Sequence, residues 1–213
     1  MSSTRTLVRR AVLAATATAA AFVLAACGGD SGGDTAADAS ASSSASAGAD
    51  AAGAHNDQDV AFAQGMIPHH QQAVQMAKMA ATQASSAEVK DLASRIEKAQ
   101  DPEIRTMSEW LKTWGEDVPS AMPGMDHGGG HSGGAGMPGM MDTKDMAELM
   151  KASGKGFDTM FLTMMVEHHE GAVQMATTEK DKGRYGPATQ LADAVITAQT
   201  AEIKEMNKLL GKG

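Results

Sequence analysis

Two segments of this sequence carry the side chains of a soft-metal site at the same spacing. Met66-x-x-His69-His70 is followed by Met76, and Met165-x-x-His168-His169 is followed by Met175. On a helix, residues three or four apart are neighbours, and residues seven apart lie two turns along the same face. Met66, His69 and Met76 therefore form one line, and Met165, His168 and Met175 form another. Their apolar neighbours turn each line toward a helical interior. His70 and His169 point about 100° away, toward a flank or the hairpin partner. Neutral imidazole and thioether sulfur suit copper, above all Cu(I), with Ag(I) as a second soft ion, whereas Ca²⁺ or Mg²⁺ would require oxygen. A methionine stripe at helical spacing is ordinarily core filler. The histidines are harder to account for in that way, because an interior rich in Met and Ala offers imidazoles few hydrogen-bond partners.

A second group of soft donors lies in residues 119–141. Met122, Met125, His127, His131, Met137, Met140 and Met141 are set there among Gly and Pro. With no periodic pattern, the segment reads as flexible chain that forms no core. Its thioethers and imidazoles would then wrap a soft ion without imposing a geometry. A plain Gly-rich linker is the other reading. A third pattern, Gln100-x-x-Glu103 and Gln199-x-x-Glu202, is expected to be polar surface. Facing inward beside the histidines, it would instead resemble a two-metal centre.

The elements that position these groups are helical. Phe62, Met66, His69, Ala73 and Met76 share one face of a first helix. Pro68 should kink that helix or begin a fresh one. Ser85-Ser86-Ala87-Glu88 matches a capping box at the start of a second helix, which Pro119 and Pro123 should end. A short helix is expected over 144–152, capped by Asp142-Thr143 and broken by Gly154 and Gly156. Further helices are expected over about 157–180 and 188–211. The two halves are one unit twice. A shift of 99 residues aligns Asp59 with Asp158, His69-His70 with His168-His169, and Ala73–Ala77 with Ala172–Ala176, without a gap. It also aligns Gln100 and Glu103 with Gln199 and Glu202. Two hairpins, 57–114 and 157–211, each with one apolar stripe, bury those stripes against each other as an all-α four-helix bundle.

The N-terminal part reads differently. Arg5, Arg9 and Arg10 precede a small, apolar stretch from Ala11 to Ala26 that is too short for an ordinary membrane span. Leu24-Ala25-Ala26-Cys27 resembles a bacterial lipobox. The resemblance implies cleavage before Cys27, lipidation of its sulfur and a membrane anchor. An uncleaved anchor or an ordinary secretory signal are the alternatives. Arg9-Arg10 with Leu13 loosely resembles a twin-arginine export signal. Residues 28–56, almost all Gly, Ala, Ser and Asp, are expected to be a disordered tether, with His55 solvated at its end. No acid precedes Cys27 and three arginines do, so the formal charge of −8 becomes −11 beyond it. That charge disfavours nucleic acid and attracts cations. Cys27 is the sole cysteine, so no intramolecular disulfide forms. Self-association is left open.

The segments 66–77 (Met-Ile-Pro-His-His-Gln-Gln-Ala-Val-Gln-Met-Ala) and 165–176 (Met-Val-Glu-His-His-Glu-Gly-Ala-Val-Gln-Met-Ala) resemble the signature of the bacterial family catalogued as domain of unknown function 305. The resemblance spans about 57–211. It implies a ferritin-like helical bundle, export, and copper handling outside the cytoplasm through Met66, His69, His70, Met76 and their counterparts. The expectation is a membrane-tethered protein that buffers or sequesters copper and catalyses no reaction. The alternatives are a ferritin-like metal oxidase using His with Glu103 and Glu202, and a non-metal envelope interaction module. Di-iron proteins of the ferritin type place Glu-x-x-His on each of two helices. Here Glu167 and His168 are adjacent, and Pro68 stands at the matching position of the first copy.

Overall fold

The computed structural model of the 213-residue chain describes residues 53–120 and 136–212. The signal segment with Cys27, most of the tether, and Met122, Met125, His127 and His131 lie outside the described residues. Among the described residues there are five helices and no strand: α1 (Asp57–Gln83), α2 (Ala87–Trp114), α3 (Thr143–Lys151), α4 (Gly154–Lys182) and α5 (Gly186–Leu209). None of them is long and apolar enough to cross a membrane. α1 packs on α2 and α4 on α5, and the two hairpins meet through α1 and α4. α3 lies against α1 and α4. The result is an all-α, ferritin-like four-helix bundle with one short extra helix. The duplication is visible in its joints: α1 ends at Gln83 and α4 at Lys182, α2 begins at Ala87 and α5 at Gly186, each pair 99 residues apart.

Local chemistry sets the helix ends. The Asn56 side chain accepts from the amides of Gln58 and Asp59, and the Asp59 carboxylate accepts from the Asn56 amide at 2.7 Å, a complete capping box. Asp142 and Asp145 do the same for α3. The capping box expected at Ser85 does not form. Ser86 is the cap, its hydroxyl accepting from the Val89 amide. Ser85 is taken by Asp158 of the other repeat, which accepts from the amides of Ser85 and Ser86 and from the Ser85 hydroxyl.

The prolines do not end α2. Gly115 does so, in the left-handed conformation (φ 78°), four residues before Pro119. Pro68 lies inside a continuous α1 and does not start a new helix, and α2 likewise runs on through Pro102. Gly154 and Gly156 belong to the first turn of α4, and the break after α3 falls at Ala152 and Ser153. His55 is half-buried and held by the fold: its ring stacks on Trp114 with centroids 4.5 Å apart. Residues 53–56 are thus part of the folded domain.

Two apolar clusters fill the ends of the bundle. One joins Phe62, Ala63, Met66 and Ile67 to Met107, Leu111, Ala172, Ala176, Ala192 and Val195. The other joins the C-terminal half of α1 and the start of α2 to Leu149, Phe157, Phe161, Met165 and Met206. The four histidines occur between these clusters on α1 and α4, forming a buried polar layer within an otherwise apolar interior.

Candidate metal centre

Each repeat contributes one inward and one sideways imidazole. His69 and His168 come from antiparallel, touching helices, and their ring centroids are 3.8 Å apart with planes tilted by 44°. Both rings are sealed from solvent. His70 and His169 turn to the hairpin partner, as helix geometry requires. His70 Nε2 lies 2.8 Å from Glu103 Oε2, and His169 Nε2 lies 2.8 Å from Glu202 Oε2.

These partners place a proton on Nε2 in three of the four rings. A carbonyl or carboxylate oxygen only accepts, so the nitrogen facing it carries the proton. His69 Nε2–H donates to the Pro138 carbonyl at 3.0 Å. His70 and His169 donate through Nε2 to their glutamates. The Nδ1 atoms of all three are buried without a hydrogen-bond partner. In His168 both ring nitrogens are buried and unpartnered. Orphaned buried polar atoms are rare in folded proteins and call for an explanation. Protonation does not relieve them. Burial, reinforced by the neighbouring His70, pushes the His69 pKa down to about 3. Burial, and then His69, holds His168 well below the ordinary histidine range. Both rings are neutral at physiological pH, as metal ligation requires.

The methionines divide. Met66, Met76 and Met165 are fully buried in the apolar clusters, where they fill space as a Met stripe ordinarily does. Met175 is half-buried. Its methyl group lies 3.0 Å from where a Cβ on Gly65 would stand, and the Met137 sulfur lies 3.7 Å from the same point. Two thioether side chains thus border α1 at Gly65, one turn before His69.

Residues 136–141 differ from the flexible chain read from the sequence. Met137–Met141 form a strap docked across the histidine layer. The strap is tied down by the His69–Pro138 bond and by two bonds from Gln72. The Gln72 side-chain N–H donates to the Met141 carbonyl at 2.8 Å, and its Oε1 accepts the Met141 amide at 2.8 Å. Met141 is buried and belongs to the core, contrary to the expectation that no residue of this segment would. Met140 is half-buried.

Glu103 and Glu202 are neither free surface nor a shared carboxylate centre, since each is engaged by its own flanking histidine. Among the described residues no three His, Cys, Asp or Glu side chains are grouped to hold a metal ion. Neutral imidazole lone pairs beside thioethers fit a soft monovalent ion.

Sequence reasoning missed the Pro138 carbonyl, the Gln72 clamp and a buried carboxyl pair. Asp59 accepts from the amides of Arg184 and Tyr185, and Glu179 faces it. Glu179 is fully buried, and its pKa rises to about 8 through burial and the adjacent Asp59 carboxylate. Burial also pushes Asp59 upward, but hydrogen bonds from Glu179, Tyr185, Asn56 and Arg184 outweigh it and hold its pKa low. Glu179 is thus the carboxyl of the pair that keeps its proton at neutral pH. The available signal was a departure within the repeat, since Ala80 stands where the second copy has Glu179.

The chain matches the family model "Domain of unknown function (DUF305)" over residues 59–210. It is similar to a DUF305 protein from Streptomyces coelicolor, at 34% identity and a TM-score of 0.64, over 73% of this chain and 93% of that one. It is similar to a DUF305 fragment from Deinococcus radiodurans, at 30% identity and a TM-score of 0.62, over 74% and 98%. A third similar protein, CopM, has been solved with Cu(II), Cu(I) and silver bound. Its Cu(II) form is 36% identical with a TM-score of 0.59, over 71% of this chain and 94% of CopM. None of the curated proteins compared matches the chain. With 152 consecutive residues under the family model and the doubled His-His helix at the centre of the fold, this chain belongs to the DUF305 family.

Proposed function

We propose that this protein binds copper, preferentially as Cu(I), and holds it outside the cytoplasm as a buffer or sequestering agent. The observation that carries the reading is the His69–His168 pair: two neutral imidazoles in contact, sealed from water, with three of their four nitrogens lacking any partner. Thioethers of Met137 and Met175 at Gly65, one turn from His69, and of Met66, Met76 and Met165 along the same helices, supply the soft donors that favour Cu(I) or Ag(I) over harder ions. His70 and His169 are the outer imidazoles of the same layer. The copper- and silver-bound forms of the similar protein CopM support copper as the ion, in either oxidation state. In the same reading Cys27 carries the lipid anchor, residues 28–52 are the tether, and Met122, Met125, His127, His131 and Met140 form a looser site of higher capacity. The glutamates are bonded to histidines, which favours binding over turnover.

Titration of the soluble domain with Cu(I) against a competing chelator tests the bundle site. The wild type should bind more tightly than the His69→Ala, His168→Ala double variant. Equal binding by the two would discard the bundle site.

A further inference from the structure

Among the matching positions beside the histidines at which the two copies differ, one pair meets the strap. Gln72 follows His70 by two residues, and Gly171 follows His169 by two. Each residue is what the strap needs at its own place. Gln72, almost fully buried, satisfies both backbone groups of Met141. At Gly171 the strap comes so close that a Cβ would stand 2.0 Å from the Pro138 oxygen and 2.8 Å from the Gly139 Cα. Gly139 answers it. Its φ of +76° is open chiefly to glycine, and a Cβ there would lie 2.5 Å from the Glu167 carbonyl oxygen and 3.0 Å from that of His168. The strap therefore lies backbone against backbone along α4 at His168, and it reaches across to His69 through the Pro138 carbonyl. The residue before Pro138 is Met137, whose sulfur is near Gly65, one turn from His69.

We propose that Gln72 and Gly171 are positioning residues of the copper site: they seat the strap so that the Pro138 carbonyl fixes His69 with its Nδ1 lone pair free and the Met137 thioether is the third soft donor. The inference rests on the reading of the histidine pair as a copper site. It makes the two repeats unequal by construction. The bundle offers two equivalent faces to a single strap, and the Gln/Gly difference selects one of them. Hydrogen-bonded partners that orient a ligand imidazole carry part of the affinity of a metal site without touching the ion.

The test uses Gln72→Ala and Gly171→Ala, which disturb the strap in unrelated ways, with the exposed Gln174→Ala as control. Three quantities are measured: hydrogen exchange at the Met141 amide in metal-free protein, the sulfur-to-nitrogen ratio around Cu(I) by X-ray absorption, and the Cu(I) affinity. Circular dichroism checks that the helices are kept. Both strap variants should exchange the Met141 amide faster, lose sulfur from the copper environment and bind Cu(I) roughly 10- to 100-fold more weakly. Gln174→Ala should match the wild type in all three. Faster exchange with unchanged sulfur count and affinity would overturn the strap's role and leave the histidine site standing. Wild-type binding that is indifferent to loss of His69 and His168 would overturn the copper-site reading, and this inference with it.

Discussion

Asp59 and Asp158 each stand in one repeat and bind the other. The Asp59 carboxylate accepts the amides of Arg184 and Tyr185 at the entrance of α5, and Asp158 accepts those of Ser85 and Ser86 at the entrance of α2. Each aspartate satisfies donors that a helix N-terminus would otherwise leave open, and together they cross-link the hairpins. Asp158→Ala strands two amides and a hydroxyl, and should lower unfolding free energy by about 2–3 kcal/mol. Urea denaturation measures this, with the slope unchanged. A loss below about 0.5 kcal/mol would mean that water replaces the carboxylate freely.

Glu179 makes stability fall as pH rises from the acid range through neutrality. Its folded-state pKa is raised to about 8 from an ordinary 4.5, so between these values the folded protein keeps a proton that the unfolded chain has released. Stability contributed by this group is complete below about pH 4.5 and declines as pH rises toward 8. Glu179→Gln keeps a donor toward Asp59 and cannot ionise. Its melting temperature should exceed that of the wild type at pH 9 and approach it at pH 5. Parallel pH profiles for the two proteins would show that Glu179 is not the titrating group.

Glu202 fixes the tautomer of His169. Imidazole ¹⁵N shifts of the metal-free protein should report the proton on Nε2. Glu202→Gln keeps an acceptor and should preserve that state. Glu202→Ala should leave a mixture of tautomers and cost about 1–3 kcal/mol, because a buried N–H loses its acceptor. The same comparison applies to Glu103 and His70 in the first repeat.

The bundle was legible in the sequence because it is written twice. A gap-free shift of 99 residues, with apolar residues at helical spacing in both copies, leaves a chain little choice but two hairpins packed face to face. The inward turn of His69 and His168 and the sideways turn of His70 and His169 follow from the same periodicity. What the sequence hid are contacts without periodicity. The strap reads as loose Gly, Pro and Met, because what holds it is a single amide side chain at Gln72 and the absence of a side chain at Gly171. Those two residues, like Ala80 and Glu179, are mismatches between the two copies. Mismatches of that kind mark where one copy does something that the other does not. Ser85 illustrates a different limit: its spacing to Glu88 satisfies a local rule, but a carboxylate from the other repeat takes the serine. His55 joins the fold through Trp114, 59 residues away in sequence, which no local pattern announces.

A crystal of the protein loaded with Cu(I), measured at the copper absorption edge, tests the central claim directly. One strong anomalous peak is expected in the histidine layer, within bonding distance of a nitrogen of His69 and a nitrogen of His168, with a thioether sulfur completing the environment. Copper found only elsewhere, with the two rings still in contact and unliganded, would contradict it.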